Sequence, residues 1–346
     1  MESVMKTTYN PHSTILHEVV PVDLPFHAVI QLISLCNFKC NYCLQSDFSG
    51  SPLAQRFLKS HKGLMKFDDF KTVIDNFSAY IAQKCPGKKI KLLSLSGFGE
   101  TLMHPDIIQM IKYTKQANIA EKIQIFSNGS LLTKQMSDNL VDAGLDILKI
   151  SLQGINPDAY KKTCDFNIDW DVFISQLKYF YNNRKNCFLY LKVADVALNG
   201  EEDEKRFFEL FSPFADNANI EHITGGNGVY YDPNTEEHRS VVRNELIDDT
   251  ICNISFRLLE LNMDGETWAC ARFDESGYKG PMIGNMLTTP FAEIWNVGVH
   301  GKFLKSTLEH NMQGNCKGCL YANFLSTNAD ILRGHEEEIL ERLNKF

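Results

Sequence analysis

Short apolar runs alternate with longer amphipathic stretches through most of the chain. A short run bounded by turn residues predicts a buried strand, and apolar positions at i, i+3, i+4 and i+7 predict a helix. On that basis strands are predicted at 27–34 (HAVIQLIS), 89–97 (KIKLLSLSG), 123–129, 147–154, 188–196 and near 220–224. Helices are predicted at 67–83, 104–117, 133–144, 169–183 and 202–215. Strands and helices in alternation form β/α units on a parallel sheet, and the chain reads as about six of them. The segment 225–238 (GGNGVYYDPNTEEH) is rich in glycine and polar residues and has no periodicity, which predicts a linker. The charged stretch 328–346 predicts a terminal helix, and no internal repeat or low-complexity tract is present.

Composition narrows the reading by exclusion. At 346 residues the chain is long enough for one large domain and a smaller one. A hydrophobic content of 44% and a charged content of 23% are ordinary globular values. The net charge of −8, with no long basic run, argues against a general nucleic-acid or anionic-membrane binder. It leaves room for a small pocket that takes an anionic substrate. The start, MESVMKTTYNPHSTILHE, has no apolar signal-peptide core, and no apolar stretch approaches the roughly 18 residues a membrane span needs. Ten cysteines without a secretion signal predict a cytoplasmic protein whose thiols serve metals rather than disulfides.

Three of these cysteines, Cys36, Cys40 and Cys43, stand in CNFKCNYC with the spacing C-x3-C-x2-C. Three thiolates can hold three irons of a 4Fe–4S cluster and leave the fourth iron open, whereas four thiolates close it. Zinc usually takes four N or S ligands, and the next histidine, His61, is far down the chain. A disulfide framework does not suit a chain of this size without a secretory signal. In barrels and open α/β sheets, ligands sit at the C-terminal ends of the strands. The cysteine loop follows the first predicted strand, so a cluster would sit at that mouth.

The triplet and its context resemble the radical S-adenosylmethionine (SAM) superfamily. The resemblance implies a partial (β/α)6 barrel of TIM type, open on one side, over 26–225. It also implies a 4Fe–4S cluster on Cys36, Cys40 and Cys43 whose open iron chelates SAM. SGFGET (96–101) resembles the family's GGE-type motif, with Gly97, Gly99 and Glu100 at the matching positions and Phe98 replacing one glycine. An ammonium group wants acceptors, and close backbone approach wants glycine. Alone, glycines after a strand usually mark just a turn. FSNGSLLT (126–133) resembles the third strand end, which implies Ser127 and Asn128 facing the cofactor. ISLQG (150–154) resembles the fourth, which implies a SAM contact from Ser151. Many relatives carry aspartate where Gln153 stands; a neutral amide cannot act as a base, so Gln153 is given no acid–base role. Lys192 is implied to reach the SAM carboxylate, with a solvated strand-edge lysine as the alternative. Tyr42 occupies the aromatic position beside the adenine in relatives, with ordinary packing as the alternative.

Four more cysteines lie beyond the linker. Cys252 and Cys270 are set as C-x12-G-x4-C around Gly265, with a DG pair that suits a hairpin turn. Cys316 and Cys319 form C-x2-C. On spacing alone, two distant pairs fit a zinc ribbon as well as an iron–sulfur site. Between them, IGNMLTTPFAEIWN (283–296) resembles the "iGN…eiWn" run of SPASM/twitch domains. A full SPASM domain has seven cysteines and two auxiliary clusters. Four cysteines match the shorter twitch-like version, which implies one auxiliary 4Fe–4S cluster, closed by four thiolates and suited to carrying electrons. Of the remaining cysteines, Cys85, Cys187 and Cys164, only Cys164 follows a strand end near the mouth. A thiol there donates hydrogen in radical epimerases, but a small buried hydrophobe is the commoner role.

The implied organisation is an N-terminal extension (1–25), the core barrel (26–225), a linker (226–250), the auxiliary-cluster domain (251–325) and a C-terminal helix (326–346). The implied chemistry is reductive cleavage of SAM to a 5′-deoxyadenosyl radical that abstracts a hydrogen atom. The cofactor carries that step while the protein positions the groups and excludes water. An electron acceptor beside the substrate radical favours net oxidation, most simply dehydrogenation of a sugar, aminocyclitol or similar metabolite. A flavodoxin or ferredoxin-type protein would supply the electron. One alternative is a maturase that crosslinks or epimerises a ribosomal peptide. Many such maturases begin with a peptide-recognition domain, and only 35 residues precede Cys36. The alternative from another class is a non-catalytic iron–sulfur electron carrier, which would need none of the SAM-pocket motifs. No catalytic residue is assigned; Tyr230, His222 and Arg272 are polar candidates for the group that takes a proton.

Overall fold

The computed structural model describes residues 14–43, 45–46, 63–221, 251–270, 273–274, 277–278, 280–312, 316 and 328–346. A short helix, α1 (Leu16–Val19), precedes β1 (His27–Ile30). The chain then alternates as predicted: α2 (Phe67–Lys84), β2 (Ile90–Leu95), α3 (Ile107–Ala117), β3 (Ala120–Ser127), α4 (Lys134–Asp142) and β4 (Ile147–Leu152). Two helices follow, α5 (Pro157–Cys164) and α6 (Trp170–Asn183), then β5 (Phe188–Ala194), α7 (Glu201–Phe211) and β6 (Asn217–Glu221). Strands β1 to β6 lie side by side in chain order, each parallel to the next. This is a partial (β/α)6 barrel.

Local chemistry explains the helices. In α2, Phe70, Val73, Ile74 and Phe77 recur at helical spacing and are buried. The Thr133 hydroxyl accepts from the Met136 amide to cap α4, and Asp169 accepts from Val172 to cap α6. Helix α5 has no counterpart in the sequence reading, because it is too short for its period to register. Its ends are well marked: Asn156 accepts from Ala159, Pro157 opens the first turn, and Asp165 closes it in the left-handed region. Strand β6 begins at Asn217 rather than near 220, because pairing with β5 sets Asn217 opposite Tyr190. Helix α9, introduced below, is likewise shorter than the stretch 328–346, since Gly334 at φ +87° separates it from a 3-10 turn at Asn328–Asp330.

The C-terminal segment adds to the same sheet. Strand β7 (Leu258–Leu261) runs parallel to β1, with His27 opposite Leu258 and Ile30 opposite Leu261. It turns back into β8 (Glu266–Trp268). A small ladder of β9 (Phe273–Asp274) and β10 (Gly277–Tyr278) follows. Strand β11 (Met282–Asn285) then pairs antiparallel with β8. The sheet therefore has nine strands with β11 and β6 at its edges, and it stays open. Without β7, the outer edge of β1 would present unpaired backbone groups. Helices α8 (Gly298–Leu308) and α9 (Glu336–Leu343) complete the described chain. The predicted linker, 226–250, lies outside the described residues. No described helix is long and apolar enough to cross a membrane.

The two faces of the barrel sheet differ. Leu148, Ile150 and Leu152 of β4 and Leu189, Leu191 and Val193 of β5 are buried with Phe173, Leu177 and Phe180 of α6 in one core. Alternate side chains point the other way, and there polar residues, His27, Ser94, Gln124, Lys149, Ser151, Lys192 and Glu260, are interspersed with apolar and aromatic ones such as Val29, Phe126 and Tyr190. Strands buried on both faces usually read as continuous apolar runs. So many polar side chains on the inner face mark a barrel interior built to hold something other than packed aliphatic side chains.

Candidate active site at the strand ends

The cysteine loop leaves the end of β1 and is pinned on two sides. On one side, the Gly99 amide donates to Ile33 O at 3.1 Å and the Glu100 amide to Leu35 O at 2.8 Å. This approach is so close that a Cβ on Gly99 would stand 2.5 Å from Leu35 O and 2.6 Å from Ile33 O. Only glycine fits there. On the other side, the amides of Lys39 and Asn41 donate to Cys164 O and Thr163 O at the end of α5. Phe38 anchors the loop by packing on Tyr160 and Phe166.

A polar bracket ties the loop to the next two strands. Glu100 is buried, and its Oε1 accepts from Ser127 Oγ at 2.7 Å and from the Leu102 amide at 2.9 Å. Its Oε2 accepts from the Asn128 amide at 2.6 Å. Burial raises the Glu100 pKa, and these bonds oppose that rise. Asn128 Nδ2 donates to Asn37 Oδ1 at 2.9 Å, and Asn37 Nδ2 donates to Ser130 Oγ at 2.9 Å. Ser127 and Asn128 thus meet around the Glu100 carboxylate, and Asn37 of the loop itself joins them through the Asn128 side chain. The sequence reading missed Asn37 and Ser130, which lie inside quoted motifs but belong to residue types with no special signal.

Cys36, Cys40 and Cys43 are all half-buried. Burial pushes Cys36 to about 12 and Cys43 to about 11, with neighbouring thiols adding to both. Cys40 is raised first by a hydrogen bond with the Cys164 thiol and then by burial. Among the described residues, no three His, Cys, Asp or Glu side chains are gathered closely enough to hold a metal ion as they stand. The donor set nevertheless fits an iron–sulfur cluster. The Phe38 amide donates to Cys36 Sγ and the Gln45 amide to Cys43 Sγ, both at 3.4 Å, and such bonds to sulfur tune clusters. Cys164 is buried, donates to Tyr160 O at 3.0 Å and faces Cys40.

The other predicted SAM contacts are spread around the mouth. Tyr42 donates to Gln153 Oε1 at 2.6 Å, which orients both side chains between the loop and β4. Gly97 packs on Gln31, so that a Cβ there would lie 3.1 Å from the Gln31 Cβ. Ser151 of β4 stands in register with Lys192 of β5. Lys192 already has a partner: its Nζ is 2.6 Å from Glu221 Oε2. On the far side of β1, Gln31 donates from Nε2 to Glu260 Oε1 on β7. Glu260 is buried, its Oε2 has no hydrogen-bond partner among the described residues, and burial lifts its pKa to about 8.

In the second cysteine region, Cys252 and Cys316 are half-buried and Cys270 is buried. Cys319 lies outside the described residues, as do His222, Tyr230 and Arg272. The DG turn is real, and Asn262 Oδ1 accepts from the amides of Asp264 and Glu266 within it. Gly265 takes φ +78° and lies against Leu287, while Asn285 Nδ2 donates to Asp264 O at 2.9 Å. The run 283–296 therefore clamps the hairpin. It also docks the segment onto the barrel. Phe291 packs on Phe77 and Tyr80 of α2, and Trp295 Nε1 and Asn296 Nδ2 both donate to Val22 O.

Several known proteins are similar to this chain. A GTP 3′,8-cyclase of Staphylococcus aureus (strain bovine RF122 / ET3-1) is 30% identical over 170 residues, 49% of this chain and 45% of that protein. A GTP 3′,8-cyclase of Microcystis aeruginosa is 27% identical over 133 residues, 38% of this chain and 36% of that protein. The matches thus span less than half the length of these curated relatives. Among solved structures, Streptococcus suis SuiB bound to precursor peptide SuiA has a TM-score of 0.61 at 14% identity, over 92% of this chain and 77% of that one. The structure of anSMEcpe with bound AdoMet has a TM-score of 0.55 at 13% identity, over 92% and 96%. BtrN in complex with AdoMet and 2-DOIA has a TM-score of 0.50 at 15% identity, over 82% and 87%. At such identities the likeness establishes the fold. A model of an iron–sulfur cluster-binding domain, SPASM, matches residues 252–320. The model of the radical SAM superfamily matches residues 30–211, more than half of the chain. The protein belongs to the radical SAM superfamily, an enzyme family whose domains imply SAM and 4Fe–4S clusters, and it carries a C-terminal SPASM domain.

Proposed function

We propose that this chain oxidises a small metabolite, a sugar, an aminocyclitol or a similar compound, through radical SAM chemistry. The observation that carries the reading is the bracket in which Glu100, Ser127, Asn128 and Asn37 fasten the three-cysteine loop to two strand ends. Cys36, Cys40 and Cys43 would hold the SAM-binding cluster. When bound, that cluster and SAM supply the electron and the radical that takes a hydrogen atom from a C–H bond.

The chain's own residues shape the site. Gly97 and Gly99 let the backbone approach, Glu100 and the Asn128 amide would fix the wall that meets the SAM amino group, and Ser151 would contact SAM from β4. Tyr42, held by Gln153, would lie beside the adenine. Lys192 can reach the SAM carboxylate only by sharing its charge with Glu221. Cys252, Cys270, Cys316 and Cys319 would hold the auxiliary cluster, as an electron acceptor. A flavodoxin or ferredoxin would serve as reductant. A peptide substrate is the second reading, supported by the precursor peptide bound to SuiB, whose fold this chain shares.

The test is anaerobic. Reconstituted protein with dithionite and SAM is expected to release 5′-deoxyadenosine, and the Cys40→Ala variant to release none. No 5′-deoxyadenosine from the intact protein would sink the reading. Deuterated sugar and peptide candidates then separate the two substrate classes by which of them passes deuterium into 5′-deoxyadenosine.

A further inference from the structure

The inner face of the barrel holds a cation that the proposed chemistry does not use. Lys149 lies two residues before Ser151 on β4, so its side chain leaves the same face one layer deeper, about 7 Å further from the mouth. Its ammonium stands 5.1 Å from the Phe126 ring centroid and 5.3 Å from that of Tyr190. It is half-buried and makes no ion pair or hydrogen bond among the described residues. The rings hold it in place, since cations bind aromatic faces, but they do not neutralise it.

Its neighbours sharpen the imbalance. Lys192 stands 5.1 Å from the same Phe126 ring and has taken up Glu221. Burial first, and Lys192 second, pull the Lys149 pKa down, and the Glu221 carboxylate, already bonded to Lys192, offsets only part of this. The other acid of this face, Glu260, is bonded to Gln31 and is held largely neutral near pH 7. His27, at the base of the face, is held neutral as well, at about 4. The chain carries a net charge of −8, yet among the described residues this face has two lysines, Lys149 and Lys192, against one ion-paired carboxylate, Glu221. A half-buried ammonium without a partner is unfavourable, and an anion that bonds to it removes the penalty.

We propose that Lys149 is a substrate-binding residue that takes an anionic group, a phosphate or a carboxylate, at the floor of the barrel. This rests on the radical SAM reading above and narrows its substrate class to anionic metabolites such as sugar phosphates or sugar acids. The anion seated on Lys149 would hold the rest of the substrate in the layer above, between the floor and the SAM pocket at Ser151.

The test is calorimetric titration of anaerobically reconstituted protein with inorganic phosphate, with glucuronate and with neutral glucose. Phosphate or glucuronate should bind and glucose should not; which anion binds tells the two sources of charge apart. Lys149→Met should weaken that binding by at least about tenfold, the loss of one charge-assisted contact, and Lys149→Arg should restore most of it. Equal affinity in Lys149→Met overturns the proposal, as does the absence of anion binding to the intact protein. SAM is titrated into the same variant. A loss of SAM affinity with anion affinity unchanged overturns the proposal and gives Lys149 to the SAM carboxylate. If anions bind through Lys149 but the intact protein makes no 5′-deoxyadenosine, the site stands and the reaction reading falls.

Discussion

The two cysteine-bearing regions are fastened by different balances of polar and apolar contact. The first loop is held mainly by polar contacts, namely backbone amides, one buried carboxylate and a chain of asparagines, with Phe38 packed on Tyr160 and Phe166 beside them. The second region leans more on apolar burial, with Phe291 set against Phe77 and Tyr80 of α2 and Trp295 fully buried, while Trp295, Asn296 and Asn76 add hydrogen bonds to it. Polar brackets are directional and fix geometry to tenths of an ångström, as a cluster that must present an open iron requires. Apolar packing tolerates small shifts and supplies most of the stability. A cluster closed by four thiolates needs position more than exact orientation.

The largest effect should come from breaking the polar side. Gly99→Ala drives a Cβ into the carbonyls of Leu35 and Ile33, and neither can retreat without losing its amide partner. We expect the variant to lose the first cluster, about four irons per chain, and all SAM cleavage. Iron counting against the Cys36/Cys40/Cys43→Ala triple variant checks this, because both proteins should retain the same residual iron. Full iron in Gly99→Ala would show that the loop is not held through this approach.

Trp295→Ala tests the apolar side. Removing a fully buried indole should cost about 3–5 kcal/mol of stability by equilibrium denaturation. Iron on the first loop should stay. If the first cluster is lost instead, the two regions are one cooperative unit and the contrast between them fails.

Sequence made the alternation of strands and helices legible because each apolar run is bounded by turn residues. The cysteine spacing and the glycine motif were legible for the same reason: each is a local pattern. What stayed hidden is non-local. The parallel pairing of β7 with β1 joins residues 27 and 258 and leaves no trace in either segment. Asn37 matters because it meets Asn128 and Ser130, which lie far along the chain. Lys149 was in view in LKISLQ, and alternation would have set it on the Ser151 face. Its lack of a partner needed the neighbouring strands. The contacts of His222, Tyr230, Arg272 and Cys319 lie outside the described residues.

Glu260 and Gln31 join the two regions on the inner face, and pH can probe that link. Glu260 ionises near 4.5 when unfolded but only at about 8 in the fold. The folded state therefore binds more protons between those values, so this group's contribution makes stability fall as pH rises from about 4.5 to about 8. Glu260→Gln keeps a neutral amide in place and should be more stable than the parent above pH 8, by on the order of 2–4 kcal/mol, and nearly equal at pH 5. His27 and His300, both held at about 4 by burial, act in the opposite direction, removing stability as pH falls below 6.5. They do so equally in parent and variant. Parallel stability curves above pH 5 would show that Glu260 is not held neutral.

The smallest expected effect separates geometry from stability. Asn37→Ala removes one bond to Asn128 and one to Ser130, both part-buried. The stability loss should be about 1 kcal/mol, since each such bond exchanges for one with water. Trp295→Ala costs more. If the bracket sets the cluster's geometry, the order reverses for iron. Asn37→Ala should release its first-cluster iron to a chelator faster than Trp295→Ala does, although it is the more stable fold. Iron release that simply follows global stability across the two variants would remove the distinction between the regions, and would make the bracket one more contributor to packing.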